Sequence, residues 1–297
     1  MHTDKKKGLA IVGLGVAILS LDSLLVRLAQ TGSWNILFWR GIFMFFSVGA
    51  ICLIKKKPSL PRKKKIWIAG ACSAIFFGLG GTCFVSSIMH TKVANAVVLI
   101  SASPLFAAIF TRIFRIDKIG MRTWAAIAAA LCGVVVVFSG SLRFGGIKGD
   151  LIALLAACLM GANLTLLRRF SSLDRFVLIC LGGLVMCIVS LPLAAPLHLP
   201  AETYAVLALM GLVQMPAALI LIAQSTRYLP SPEVSLFLLV ETLLAPIWVW
   251  LFIGEMIPEA TFLGGGIILM TILWHSWAGM REMHKLNKNI PSSRPGA

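Results

Sequence analysis

Residues 232–270 read PEVSLFLLVETLLAPIWVWLFIGEMIPEATFLGGGIILM, and they hold one long apolar run and most of a second, at 232–254 and 259–280. A helix of about 20 apolar residues crosses the hydrocarbon core of a bilayer. Polar and apolar residues do not alternate in either run, as they would in the strands of a membrane barrel. The stretch therefore predicts two transmembrane helices, the first of which carries a carboxylate, Glu241, near its middle.

The rest of the chain repeats this pattern, and the connections between apolar runs are too short to hold a soluble domain. Open sheets leave unpaired backbone groups and are not viable in lipid. We therefore expect an all-α integral membrane bundle of ten transmembrane helices. The predicted spans are 8–29, 34–54, 66–89, 93–114, 121–140, 148–169, 175–197, 203–226, 232–254 and 259–280.

Composition and charge support a membrane protein and orient it. The chain of 297 residues is 59% hydrophobic and only 13% charged, against about 25% in soluble domains. Its net charge is +16, yet the basic residues stand at helix ends and do not interleave with aromatics, which excludes a nucleic-acid partner. With the N-terminus inside, 22 of the 27 basic residues face the cytoplasm. The positive-inside rule then predicts a multi-pass protein of the cell (inner) membrane with both termini cytoplasmic.

The two halves of the chain resemble each other. Residues 94–134 align with 232–272, and Lys7-Gly8, Asp22 and Arg27 align with Lys148-Gly149, Asn163 and Arg168. This predicts a first five-helix repeat at 1–143, a second at 144–280 and a cytoplasmic tail at 281–297. Because five is odd, the second repeat begins on the opposite side, so the repeats are inverted. Inverted repeats are typical of secondary transporters that hold substrate near the bilayer midplane.

At this point the sequence resembles the EamA-type members of the drug/metabolite transporter superfamily, over residues 8–280. The resemblance rests on the ten spans and on the end of each repeat, 94–138 and 232–270, where a proline-containing span precedes Gly-Glu and a small-residue span. Gly254-Glu255 matches that ending, whereas the first repeat has Ile116-Asp117 in its place. The resemblance implies a carrier for small metabolites, often an exporter.

Three ionisable residues inside the spans are the main candidates for substrate binding or coupling. A charged side chain at a helix centre costs about 2.5–3.5 kcal/mol on insertion scales, so it should face a cavity or a partner. Glu241 could bind a substrate amine or carry a coupling proton; the alternative is a carboxyl that only locks helices together. Asp22 and Arg40 lie at similar depth and could form a structural ion pair. Unpaired, Arg40 could bind a carboxylate or phosphate.

Uncharged polar residues and prolines give weaker candidates. Asn163, the repeat mate of Asp22, and Gln214 could line a cavity, although hydrogen bonds between helices are the more frequent outcome. Pro104, Pro216 and Pro246 lie inside spans and should kink or break their helices. They could act as hinges for alternating access or as static kinks.

These residues favour a secondary transporter of a small metabolite, such as an amino acid or related compound, that works by alternating access, with export as the expected direction. A lipid-linked substrate flippase is the alternative, and an intramembrane enzyme is much less favoured because no nucleophiles, bases or metal ligands cluster. The chain has no phosphate-binding loop, and its seven cysteines have no CxxC spacing. We expect no metal and no cofactor; the partners would be the substrate, the lipid bilayer and a coupling proton. The pattern contains no signal for an oligomeric state.

Overall fold

A computed structural model describes residues 2–54, 64–114, 121–144, 146–170, 173–195, 197–225, 228 and 231–288. These residues form helices joined by short turns, and none of them is in a β-strand. The α-helices are α1 (His2–Ser20), α2 (Asp22–Leu28), α3 (Ser33–Ile54), α4 (Lys64–His90), α5 (Val93–Ile100), α6 (Ser103–Ile113), α7 (Met121–Phe144), α8 (Ile147–Arg169), α9 (Arg175–Ser190), α10 (Ala201–Ala208), α11 (Met215–Ser225), α12 (Ser231–Ile253) and α13 (Glu259–Lys288), and a π-helix (Leu209–Gln214) joins α10 to α11.

The helices fall where the ten spans were predicted. Six stretches of the described chain are long and apolar enough to cross a membrane, and four shorter apolar helices cover the remaining predicted spans. The six are Lys6–Leu28, Ser33–Ile54, Lys64–His90, Val93–Ile113, Ile147–Arg169 and Ala201–Ile222, and the shorter four are Trp124–Gly140, Arg175–Ser190, Val240–Ile253 and Glu259–Trp274. The all-helical fold is therefore confirmed, and its apolar helices are consistent with a membrane bundle.

Three predicted spans are interrupted rather than continuous. The first bends at Leu21, between α1 and α2, and the fourth is broken at Ser101 and Ala102, just before Pro104 in the first turn of α6. Proline lacks the N–H that continues a helix, which explains the second break. The eighth widens into the π-helix, where the Met215 N–H bonds the Met210 carbonyl. Pro216 follows directly and has no N–H to restore the regular pattern.

Two helices end at residues that differ from the ends of the predicted spans. The seventh span, expected to reach residue 197, ends as α9 at Ser190, because the next residues are turns that contain Pro192. The last helix, α13, passes residue 280 and continues to Lys288, so the first part of the predicted tail is helical. Residues 289–297 lie outside the described part of the chain, as does Asp117.

The helices pack in a pattern that repeats between the halves. Helix α4 lies on α8 and α11 lies on α1, while α3 pairs with α9 and α7 with α13. A Cβ added to Gly41 would meet the Gly183 carbonyl oxygen at 2.6 Å, and one added to Gly183 would meet the Gly41 oxygen at 2.9 Å. Gly133 and Gly264 approach each other in the same reciprocal way. Small residues thus let backbones touch where the two halves meet.

The outer surface of the bundle is apolar. Large hydrophobic side chains stand exposed along the helices, for example Phe46, Leu151 and Phe262 at 64%, 54% and 73% exposure. Patches of this kind are costly in water and suit a lipid environment. Buried polar side chains such as Asp22, Arg40 and Asp150 lie instead between helices.

Candidate functional site

A buried ion pair joins α2 and α3. Arg40 Nη1 donates hydrogen bonds to Asp22 Oδ1 at 3.0 Å and to Asp22 Oδ2 at 2.9 Å. The two side chains are only 3% and 5% exposed. Of the two interpretations left open by the sequence, the paired one is what the structure contains, so Arg40 is held by Asp22 and is not a free anion receptor.

The backbone break beside Asp22 supplies further polar groups. Ser20 ends α1 and Asp22 begins α2, so carbonyls near the break lose their regular helical partners. Gln214, the last residue of the π-helix, reaches across and donates from Nε2 to the Ile18 carbonyl at 3.0 Å and the Leu19 carbonyl at 3.4 Å. The Gln214 side chain thereby donates to carbonyls that would be paired within the helix if the helix were continuous.

Helix α12 contributes the third element of the site. Glu241 is its eleventh residue, midway along Ser231–Ile253, and it interacts electrostatically with Asp22 and Arg40. Trp248 lies two turns further on the same face and donates from Nε1 to Ser20 Oγ at 2.9 Å. The carboxyl and the indole therefore face the break between α1 and α2.

These six residues, Ser20, Asp22, Arg40, Gln214, Glu241 and Trp248, form what we call the central cluster. Within the described residues, two of its buried atoms have no hydrogen-bond partner: Arg40 Nε, a donor, and Gln214 Oε1, an acceptor. A buried polar group without a partner costs about 1–3 kcal/mol. An unused donor and an unused acceptor beside three ionisable groups give the cluster the means to bind a polar ligand or to relay a proton.

Asn163 belongs to a different contact. It is buried on α8, where its Oδ1 accepts a hydrogen bond from Ser73 Oγ of α4. This is the helix-to-helix bond that the sequence presented as the more frequent outcome, and it ties α8 to α4. The structure therefore joins Asp22, Arg40, Glu241 and Gln214 in one cluster and places Asn163 at a neutral helix contact.

The three candidate hinge prolines have unlike settings. Pro104 stands in the first turn of α6, at the break after α5, and Pro216 follows the π-helix. Pro246 lies inside α12, which continues without interruption from Ser231 to Ile253. Their role as hinges stays a prediction.

A second polar network was missed by the sequence analysis. It lies where α2, α4 and α12 end, which we call the Glu255 end of the bundle. Arg27 forms an ion pair with Glu255 at 2.9 Å and donates to the Thr91 carbonyl at 3.0 Å. The Gly254-Glu255 motif marks this place in the sequence, but it served only to support the family resemblance.

Two features place Glu255 and support its surroundings. Gly254 ends α12 with φ +76°, a left-handed conformation that glycine adopts without strain, and the chain turns there. Beneath the turn, buried Asp150 accepts hydrogen bonds from Thr91 Oγ1 at 2.6 Å and Asn95 Nδ2 at 3.5 Å. Thr261 Oγ1 donates to Asn95 Oδ1, so α5, α8 and α13 are joined at this end.

The described residues hold no group of three or more His, Cys, Asp or Glu side chains that could bind a metal ion. Their seven cysteines are all free thiols.

Comparison with known proteins gives the family. The model of the EamA-like transporter family matches the chain twice, at residues 6–139 and 147–277. An uncharacterized transporter, YdfC of Bacillus subtilis (strain 168), is 27% identical over 64% of this chain and 64% of its own length. A riboflavin transporter of Rhizobium johnstonii is 27% identical over 71% of this chain and 70% of its own.

The fold also matches a solved structure. One protein crystal structure superimposes with a TM-score of 0.59 at 15% sequence identity, covering 89% of this chain and 96% of that one. This likeness concerns the fold alone. The two matches of the family model cover nearly the whole chain as two consecutive units, and the relatives are named as transporters. The chain belongs to the EamA-like transporter family.

Proposed function

We propose that this protein is a secondary transporter that moves a small metabolite through the cell membrane by alternating access, with the central cluster as its substrate and coupling site. The observation that carries the proposal is the cluster itself: the buried Asp22–Arg40 ion pair lies at a helix break, and Glu241, midway along α12, interacts electrostatically with both of its members. Ionisable residues inside a membrane are costly and mark substrate or proton pathways.

Alternating access requires two halves that can exchange conformations, and the packing supports an inverted arrangement. The contact of Gly41 with Gly183 is reciprocal, as is that of Gly133 with Gly264. The pairing of α4 with α8 has its counterpart in that of α11 with α1. Reciprocal contacts are the signature of a two-fold relation between the contacting units. Repeats that also differ in orientation would exchange an inward-open for an outward-open state.

Within this scheme each member of the central cluster has a distinct role. The Asp22–Arg40 pair fixes the break between α1 and α2 and supplies both signs of charge. Glu241 takes up and releases the coupling proton, because it lies midway along α12 and interacts electrostatically with both Asp22 and Arg40. The free Gln214 Oε1 accepts a hydrogen bond from the substrate. A site of mixed charge fits amphoteric metabolites, amino acids among them.

Direction and orientation follow from the charge distribution and the family resemblance. Placing both termini in the cytoplasm puts 22 of the 27 basic residues there, and the Glu255 end then faces outward. The substrate leaves the cell through that end if the protein is an exporter, as the resemblance suggests.

The test uses purified protein in proteoliposomes with an imposed pH gradient. A panel of labelled amino acids, together with riboflavin because a relative is named for it, is screened for thermal stabilisation and then for flux. We expect Glu241→Gln to lower flux by at least about tenfold and to remove its pH dependence, because the variant cannot exchange a proton. The matched control is Glu259→Gln, at an exposed position at the start of α13.

Wild-type flux with unchanged pH dependence in Glu241→Gln would overturn the role of Glu241. Absence of any response to the panel, combined with movement of fluorescent lipids between leaflets, would indicate a lipid-linked flippase instead.

A further inference from the structure

A cavity of about 550 Å³ opens at the Glu255 end, apart from the central cluster. Its walls include Arg27, His90, Lys92, Asn95 and Glu255. Among the lining residues, two are cations, Arg27 and Lys92, and one is a carboxylate, Glu255. A concave site with two cations around a single acid attracts anions.

Two groups that are suited to bind a carboxylate, the Arg27 guanidinium and the Val93 N–H, hold the side chain of Glu255. Its Oε2 lies 2.9 Å from Arg27 Nη2, and its Oε1 accepts a hydrogen bond at 2.7 Å from the Val93 N–H, in the first turn of α5. A guanidinium and a free amide at a helix start are both strong donors to an anion. Each oxygen therefore has its own donor, and the two donors come from different helices.

Arg27 retains further capacity to donate. Its Nη2 also donates to the Thr91 carbonyl, but its Nε is buried and has no hydrogen-bond partner within the described residues. The side chain is 24% exposed and that of Glu255 is 12% exposed, so both can be reached from the cavity.

We propose that this cavity is a second binding site, one that receives a carboxylate group of the substrate, and that Glu255 stands in for that group while the site is empty. The proposal rests on the function proposed above and names one chemical class of cargo for it, small carboxylates. The incoming carboxylate takes Arg27 and the Val93 N–H, and Glu255 is released into the cavity.

Exchange of the two carboxylates would also loosen this end of the bundle. Glu255 follows α12, in the second repeat, whereas Arg27 and Val93 lie on α2 and α5, in the first. One side chain thus ties the two halves together. A ligand that binds more tightly when this tie is broken shifts the population towards the open state.

The experiment measures binding of succinate, and separately of inorganic phosphate, to the full chain in lipid nanodiscs. It compares wild type with Glu255→Gln, Arg27→Gln and the matched control Lys148→Gln, an exposed cation that does not line the cavity. We expect Glu255→Gln to tighten succinate binding by about tenfold, because the internal competitor no longer holds the site. We expect Arg27→Gln to abolish binding and Lys148→Gln to leave it unchanged.

Several outcomes would overturn the proposal: no succinate binding at millimolar concentration by either wild type or Glu255→Gln, binding that Arg27→Gln does not weaken, or binding of phosphate alone. Thermal melting of each variant shows whether it is folded, and the gain in Glu255→Gln does not depend on Arg27→Gln folding. Arg27-dependent succinate binding without flux of any substrate would overturn only the transport function. Flux with Arg27-independent binding would overturn only this second site.

Discussion

The central cluster and the region related to it by the internal repeat are built in opposite ways. Asp22, Arg40 and Ser73 stand 141 positions before Asn163, Leu181 and Gln214, and Ser103 stands 138 positions before Glu241. One region therefore combines Asp22, Arg40, Gln214 and Glu241, and its counterpart combines Asn163, Leu181, Ser73 and Ser103. The charged residues are in one of these regions, and its counterpart has neutral residues at the related positions.

The backbone around Gln214 also differs from the backbone around its repeat counterpart, Ser73. Gln214 leaves a π-helix to bond carbonyls beside the break between α1 and α2, whereas Ser73 and Asn163 meet as side chains on the continuous helices α4 and α8. Single π-turns and broken helices in membrane proteins tend to occur at functional sites, where freed backbone groups find polar partners. Each of the two related regions takes residues from both repeats, and the comparison favours the central cluster over its neutral counterpart as the place to test for function.

The largest effect should come from removing one charge of the central cluster. Arg40→Met leaves the Asp22 carboxylate buried without its partner, which typically costs about 3–5 kcal/mol. We expect strongly lowered thermal stability and no measurable flux in proteoliposomes. The matched change in the counterpart, Asn163→Ala, removes one hydrogen bond worth about 0.6 kcal/mol and should leave flux near wild type.

A charge exchange tests whether the pair acts as a pair. Asp22→Arg combined with Arg40→Asp should recover part of the stability that each single change loses. Equal stability of Arg40→Met and wild type would show that the ion pair contributes nothing to the fold, and the contrast between the two regions would then have no energetic basis.

The next effect comes from placing a charge in the neutral region. Asn163→Asp puts a lone carboxylate within α8, which should cost about 2.5–3.5 kcal/mol on insertion scales. Adding Leu181→Arg, at the position related to Arg40, should recover part of that loss if the repeat places the two positions as it places Asp22 and Arg40. Stability is measured by thermal unfolding of all four combinations. Purely additive losses would show that the two regions are not geometrically equivalent.

The sequence predicted most of the architecture and part of the central cluster. Apolar runs of about 20 residues located every helix, because lipid leaves the backbone few alternatives. The cost of burying charge singled out Asp22, Arg40 and Glu241 without any contact being known. The pairing of Asp22 with Arg40 followed only as one of two options, because depth along a helix does not give its rotation about the helix axis.

Other features depend on packing between distant segments and had no local signal. The partner of Arg27 is Glu255, far away in sequence, and nothing in either neighbourhood predicts the ion pair. The bend at Leu21 lies beside the Ile18 and Leu19 carbonyls, which accept hydrogen bonds from Gln214, a residue far away in sequence. Asn163 is a candidate site residue because it aligns with Asp22. Alignment within a repeat relates the positions of the two residues, but their partners differ: Asp22 pairs with Arg40, and Asn163 accepts a hydrogen bond from Ser73.

A smaller effect is expected where the two halves touch reciprocally. An alanine methyl at Gly41 would lie 2.6 Å from the Gly183 carbonyl oxygen and 2.8 Å from the Cys187 nitrogen, both backbone atoms that cannot yield. Gly41→Ala and Gly183→Ala should each cost about 1–3 kcal/mol, as overpacking does, and by similar amounts. Gly49→Ala on the same helix is the control, since its methyl meets only Cys180 Sγ at 3.5 Å. Clearly unequal losses in thermal stability would argue against a two-fold contact.

The changes with the smallest expected effect on stability should give the clearest difference in flux between the two regions. Ser73→Ala and Gln214→Met remove the two polar groups that occupy related positions, and each should cost only about 0.6 kcal/mol, a typical hydrogen bond between membrane helices. Their effects on flux should nevertheless differ. Ser73 bonds only within the scaffold, so its loss leaves flux nearly unchanged, whereas Gln214→Met removes the buried free acceptor and the donor to the broken helix. Flux and melting temperature are measured on the same preparations. Parallel losses in both variants would mean that both regions are scaffold, whereas a loss of flux confined to Gln214→Met would place the chemistry in the central cluster.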